Sequence, residues 1–311
     1  MYCTVKVSDR VGKKAEEVVS ELEYAYSQLE QCIQELVCKD LMEEIVLLLC
    51  IAWEIKYREE SLRDVVRRIV QEYRERVRTD CLRAWLSNFD ECVRRHTWSR
   101  DLIVSALLHY TIKALFRATG LAVDYDILEP ELEVKPPAIL VPLIEALKKT
   151  GQKPLLTYQP DSYMFCRYGE KCAHVFLEYK LHQSQDMSTV LLEDEYAVSK
   201  LILFLHGLDL LTPRVGVEKR GGEKLAIEVR DSALVCKRVI LCIVHVVPET
   251  ERVNLPHGAL TRGDLLREPG VVKRLYTIHL SYVIPILDVA LAVESLRMLR
   301  HDLLRIFSHR E

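Results

Sequence analysis

The chain has 311 residues, 49% of them hydrophobic, and sets 43 Lys and Arg against 46 Asp and Glu for a net charge of −3. That supplies real cores for one large domain or two smaller ones, and it excludes the overall basicity of a general nucleic-acid coat, so any nucleic-acid contact must be local. Ten cysteines are scattered without a Cys-x-x-Cys pair, which argues against a zinc ribbon or a clustered iron–sulfur ligand set; no iron–sulfur cluster is expected.

The opening residues, MYCTVKVSDRVGKKAEE, lack the apolar stretch and small-residue cleavage site of a signal peptide, so a cytoplasmic location is expected. From about residue 8 to 119 the sequence predicts helix after helix. Ala15, Val18, Val19, Leu22, Ala25, Leu29, Cys32, Ile33 and Leu36 recur at the helical period. IVLLLCIAW (45–53) is too short to cross a membrane. In SLRDVVRRIVQEYRERV (61–77), Ser61 and Asp64 form a capping pair, and Val65, Ile69, Tyr73 and Val77 make one apolar stripe. Arg63, Arg67, Arg74 and Arg78 lie on the opposite face and suit either phosphates or, with Glu72 and Glu75, plain solvation. SRDLIVSALLHYTIKALFRATG (99–120) closes the region, with Ser99 or Asp101 at its start and Gly120 as its C-terminal cap.

Beyond Gly120 the pattern changes to short β-rich segments: LAVDYDI, KPLLTYQ, SYMFCR, CAHVFLEYKL, RVGVEKR, KLAIEVRD and RVILCIVHVV. Helices are expected between them at AILVPLIEALKKTG (138–151) and TVLLEDEYAVSKLILFLHG (189–207). The expected fold is therefore mixed α/β or α+β, with a large helical region at 1–120, a sheet-bearing core at 121–250 and a C-terminal helical segment at 251–311. Within the last, LPHGALTRGDLLREPG (255–270) carries loop signals. LYTIHLSYVIPILDVALAV (275–293), broken by His279, Pro285 and Asp288, reads as a buried core helix in place of a membrane span.

The chemistry concentrates at QPDSYMFCRYGEKCAHVFLEYK (159–180). Alternation along a strand puts Glu178 and Lys180 on one face and Leu177 and Tyr179 on the other. RYGEK has the composition of a hairpin turn, which returns SYMFCR beside CAHVFLEYK and lets Asp161 meet Glu178 across the sheet. Two converging carboxylates suit a hard divalent cation, Mg²⁺ or Mn²⁺, and a lysine beside them can orient water or stabilise developing negative charge. Without an ion the same pair is an ordinary cross-strand ion pair. A second Glu-x-Lys, Glu133 with Lys135, follows Asp124 and Asp126 but runs directly into two prolines.

Pro160-Asp161, sixteen residues, then Glu178-Tyr179-Lys180 resembles the signature of the PD-(D/E)XK nuclease superfamily, in particular its RecB-like branch, which includes the CRISPR adaptation nucleases. The resemblance covers roughly residues 105 to 250 and implies a restriction-endonuclease-like mixed sheet flanked by helices. It implies Asp161, Glu178 and the Tyr179 carbonyl as metal ligands and Lys180 as the catalytic lysine. His109, or alternatively Glu145, would be a further ligand from a preceding helix. It also implies a pair of strands after the long helix, matched here to RVGVEKRGGEKLAIEVRD. The branch's Gln-x-x-x-Tyr is only half present, with Tyr196 but Leu192 in the place of Gln. Cys166 and Cys172 flank the hairpin turn and are expected to form a disulfide or to pack as thiols, with His174 nearby. Two functions follow: a Mg²⁺- or Mn²⁺-dependent nuclease on DNA, its helices serving as substrate clamp or protein-partner surface, or a catalytically silent interaction module on the same fold.

Overall fold

Five helices follow one another as the periodicity requires: α1 (Glu16–Cys38), α2 (Met42–Tyr57), α3 (Leu62–Arg74), α4 (Asp80–Arg95) and α5 (Arg100–Ala118). The computed structural model describes residues 3–9, 16–95, 98–128, 130–134, 142, 145–146, 149, 157–183, 193, 196–201, 215–219, 224–225, 229–230, 233–234, 238–248 and 276–308. Ser61 caps α3 by accepting from the Asp64 amide at 3.3 Å, and Ser99 caps α5 by accepting from the Leu102 amide at 3.1 Å. Gly120 ends α5 at φ 84°, a conformation that favours glycine. The stripe Val65, Ile69, Tyr73, Val77 is buried. α2 carries buried residues on every side because it packs against α1, α3, α5 and the C-terminal helix α6 (Val289–Ser308). No helix among the described residues is long and apolar enough to cross a membrane.

The principal sheet runs in the order β12 (Tyr276–Pro285), β11 (Arg238–Val247), β6 (Lys171–Leu181), β5 (Ser162–Tyr168), β2 (Ala122–Leu128). β2, β5 and β6 are antiparallel neighbours, whereas β6, β11 and β12 are parallel. The hairpin is as read: Tyr168 pairs with Lys171 across a two-residue loop whose Gly169 sits at φ 60°. RVILCIVHVV is a nearly continuous apolar run because β11 is central and buried on both faces.

A second sheet joins β4 (Thr157–Tyr158), β3 (Pro130–Val134), β1 (Cys3–Asp9), β7 (Val215–Lys219) and β8 (Lys224–Leu225), and β9 (Val229–Arg230) pairs with β10 (Ala233–Leu234). VGVEK, matched above to the strands that follow the long helix, thus lies in this second sheet, and β11 is the strand laid beside β6. Tyr276–Pro285 is likewise a strand and not the buried helix expected there. Its run of Ile278, Val283 and Ile284 suits a parallel strand, and Pro285 ends it. The helices expected at 138–151 and 189–207 are described only at 142, 145, 146 and 149 and at 193 and 196–201, where they are helical; Lys135, Leu192, Gly207 and the loop 255–270 lie outside the described residues.

Helices α1, α2, α5 and α6 cover one face of the principal sheet, and a single apolar core runs through them into Val175, Leu177, Cys242 and Leu280. Polar groups cross this layer as a chain. Lys113 on α5 lies 3.2 Å from Glu30 Oε2 on α1 and 3.0 Å from Asp126 Oδ2 on β2, and Arg117 pairs with Glu30. Burial raises the Asp126 pKa, but the hydrogen bond and charge of His109 and the Lys113 ammonium overcome it and hold the carboxyl at about 2. The helical layer is also joined by a disulfide between Cys32 on α1 and Cys81 on α4. The pairing expected at the hairpin is absent: Cys166 lies opposite Ala173 and Cys172 opposite Arg167, and both carry thiols. The one-residue offset sends their side chains to opposite faces.

Two outcomes follow for stability. Lys113→Met leaves Glu30 and Asp126 buried with one cation fewer and should cost about 3 kcal/mol in chemical denaturation. His174 is buried among Tyr163 and Phe165, and burial lowers its pKa from 6.5 to about 4. The unfolded chain therefore binds more protons than the folded one between those values, so stability must fall as pH drops from about 6.5 to about 4. In His174→Phe the stability difference between pH 7 and pH 4.5 should shrink by about 2 to 3 kcal/mol, read from denaturation midpoints at the two pH values.

Candidate functional site

β6 buries eight consecutive residues, Cys172 to Tyr179, between β5 and β11. Its alternation sends Ala173, Val175, Leu177 and Tyr179 into the helix-covered core, and His174, Phe176, Glu178, Lys180 and His182 to the other face. Ser162, the first residue of β5, pairs with Leu177, and Asp161 precedes it. Asp161 and Glu178 both stand close enough to Lys180 to act on its charge. Asp161 Oδ2 accepts from the Tyr179 amide at 2.6 Å, which holds the carboxylate at the mouth of the hairpin.

Glu178 is 6% exposed. Its Oε2 accepts from Lys180 Nζ at 3.0 Å and its Oε1 from the Tyr158 hydroxyl at 3.3 Å. Each carboxylate oxygen keeps a further lone pair for a cation. Burial pulls the Lys180 pKa down, but the charges of Asp161 and Glu178, the hydrogen bond to Glu178 and the charge of Glu193 outweigh it and hold the ammonium above its usual value. A cleft of about 340 Å³ opens here. Asp161, Tyr179, Lys180 and Leu181 line it from the sheet side, Glu193 from the helix that follows, Ser105 and Leu108 from α5, and the ion pair Lys56–Asp101 stands at its border.

His109 does not join these groups. Its Nδ1 is 2.6 Å from Ser162 Oγ and its Nε2 is 2.9 Å from Asp126 Oδ2, on the helix-covered face of the sheet. Both ring nitrogens are thus committed across the sheet from Glu178 and Lys180, which corrects its reading as a ligand. The order Asp126, His109, Ser162 has the connectivity of an acyl-transfer triad, yet Ser162 and His109 are 0% and 1% exposed and so are closed to substrate. Glu145 is exposed and does not line the cleft. Of the two acids upstream of the second Glu-x-Lys, Asp124 pairs with Arg167 and Asp126 with His109 and Lys113. Tyr196 is exposed, with Lys200 over its ring at 4.3 Å. Arg63, Arg67 and Arg74 are exposed on α3 and Arg78 is exposed beyond its end, and Arg67 pairs with Asp64 at 3.6 Å.

Four groups at the site went unread in the sequence. His182 follows Lys180 by two residues and shares its face by simple alternation. Glu193 and His245 had no such signal, since they arrive through the following helix and through the pairing of β6 with β11, where His245 stands opposite Lys180. Tyr158 likewise reaches Glu178 only through the chain reversal ahead of β5.

No protein-family model, no curated protein and no solved structure matches the chain. The site therefore stands on its own geometry. Since Asp161 and Glu178 raise the Lys180 pKa, Asp161→Asn and Glu178→Gln should each lower it. Titration of the lysine Nζ signals by NMR reads this directly, and a Lys180 value unmoved in both variants would contradict the arrangement.

Proposed function

We propose that the chain is a divalent-metal-dependent nuclease that hydrolyses DNA phosphodiester bonds on a restriction-endonuclease-like core. The observation that carries this reading is that Asp161 and Lys180 line one cleft while the buried Glu178 stands behind it, its Oε2 3.0 Å from Lys180 Nζ. The order of elements supports it. Around the principal sheet, a helix, three antiparallel strands, a helical segment and a parallel strand, here α5, β2, β5, β6, residues 193 and 196–201, and β11, resemble the arrangement of the PD-(D/E)XK superfamily.

The donors are carboxylate oxygens and the Tyr179 carbonyl, a hard set that fits Mg²⁺ or Mn²⁺. Such an ion supplies polarisation of the phosphoryl oxygen and an acidified water. Asp161 and Glu178 would hold it at the hairpin mouth. Lys180 enters as an ammonium, because its neighbours hold its pKa up. It therefore acts as a donor that orients the attacking water or steadies charge on the phosphate, and not as the base. The amide of Tyr179 fixes Asp161, and the Tyr158 hydroxyl fixes Glu178, so neither carboxylate needs to reorganise during the reaction.

The test is cleavage of single- and double-stranded DNA with Mg²⁺ or Mn²⁺. Excess chelator should stop it, Asp161→Ala should take it below detection, and Lys180→Met should slow it about 100-fold or more while sparing metal binding. Cleavage that continues in chelator or in Asp161→Ala would overturn the assignment. A folded wild-type protein that binds Mg²⁺ and cleaves neither substrate would instead favour the silent interaction module.

A further inference from the structure

Beside the carboxylate pair, the same face of the sheet carries a second group of donors with a different chemistry. His182 Nε2 lies 2.9 Å from His245 Nδ1 and 3.6 Å from Glu193 Oε2. All three donor atoms fall within 4.8 Å of one another. Ligands of a tetrahedral ion bonded at the usual Zn–N and Zn–O lengths stand about 3.3 Å apart, so small adjustments would close this group around one centre. The positions are rigid. His245 is fully buried on a central strand, and His182 is 9% exposed. The His182 amide donates to the Val246 carbonyl at 3.0 Å, and its own carbonyl accepts from Trp53 Nε1 at 2.7 Å.

A hydrogen bond between the two imidazoles accounts for the 2.9 Å contact but leaves one fact unexplained. Glu193 Oε2 is buried and has no hydrogen-bond partner among the described residues. A carboxylate oxygen withdrawn from water and aimed at two ring nitrogens costs free energy unless a cation completes it. Two imidazole nitrogens and one carboxylate are the donor set of a transition-metal dication and not of Mg²⁺. Because Glu193 also lines the cleft, a fourth coordination position would face the space beside Lys180.

We propose that His182, Glu193 and His245 form a separate centre for a transition-metal dication of the Zn²⁺ and Co²⁺ class, with three protein ligands and one position open to the cleft. This goes beyond the nuclease reading and does not depend on it. The centre shares no ligand with Asp161 and Glu178.

The test is Co²⁺ titration of the chelator-stripped full chain. One equivalent should bind with the visible absorption of a four-coordinate site, without the near-ultraviolet thiolate bands that cysteine ligation would give. Zn²⁺ should displace the Co²⁺, and excess Mg²⁺ should not. Glu193→Gln, at a partly exposed side chain, and His182→Gln should each weaken Co²⁺ binding about tenfold or more, with the circular dichroism of the metal-free protein unchanged. Asp161→Asn should leave the Co²⁺ spectrum as it is. The proposal is overturned if stripped wild type gives no visible Co²⁺ bands, if folded Glu193→Gln binds as wild type does, or if the bands vanish in Asp161→Asn. The last result would put the ion on the carboxylate pair, and cleavage assays would then judge the nuclease reading separately.

Discussion

A strand that is buried on both faces yet carries charge has to satisfy that charge internally, and β6 is such a strand. One face is closed by α1, α2, α5 and α6, and its two edges are closed by β5 and β11. Glu178 at 6% exposure and Lys180 with most of its stem covered cannot rely on water. Each must find partners on its own face, and they come from neighbouring segments: Asp161 ahead of β5, Tyr158 of β4 and Glu193 of the following helix. The low effective dielectric of such a place strengthens every pairing and penalises every unmatched group. The chemistry of the cleft is thus a consequence of where the strand sits.

The opposite face meets the same constraint with a different solution. Ser162, His109, Asp126, Lys113 and Glu30 form one polar chain through the helical layer, with the charges alternating in sign and the ring of His109 saturated at both nitrogens. Nothing in it is left open to a ligand. The other face keeps a buried carboxylate oxygen on Glu193 without a donor among the described residues. The contrast separates a chain of groups that holds elements together from a set that has a position to offer, although residue types alone do not distinguish them.

Local rules carried much of the fold. The helical period, the capping serines Ser61 and Ser99, the terminal Gly120 and the two-residue hairpin around Gly169 all lie where neighbouring residues dictate them. The return of β5 beside β6 was legible for the same reason, since a hairpin register is fixed by its turn, and so was the contact of Glu178 with Lys180 on one face of the strand. What escaped depends on pairing between distant segments. β1 is held by strands at 130–134 and 215–219, and β12 by β11. A run such as YTIHLSYVIP has no period that separates a buried parallel strand from a buried helix. His109 misled because helical spacing gives the face a side chain occupies and not which of several polar neighbours it meets there. Cys166 and Cys172 misled by a single residue of register, while Cys32 and Cys81, 49 residues apart, had no signal at all.

The apolar core does not stop at the boundary between helices and sheet. Tyr26 and Leu29 of α1, Leu108 and Phe116 of α5, Leu177 of β6, Cys242 of β11 and Phe307 of α6 belong to one continuous cluster. A chain severed near Gly120 would turn Val175, Leu177, Cys242 and Leu280 out to water, and would strip α5 of the surface it packs on. The helical layer is therefore not a detachable appendage to a self-sufficient sheet, and it could not be exchanged for another as an intact module in the way that domains joined by linkers are. Substitutions far from the cleft, on the inner side of α1 or α2, bear on the same cooperative unit as those beside Lys180, so that the two layers are constrained to change together over evolutionary time.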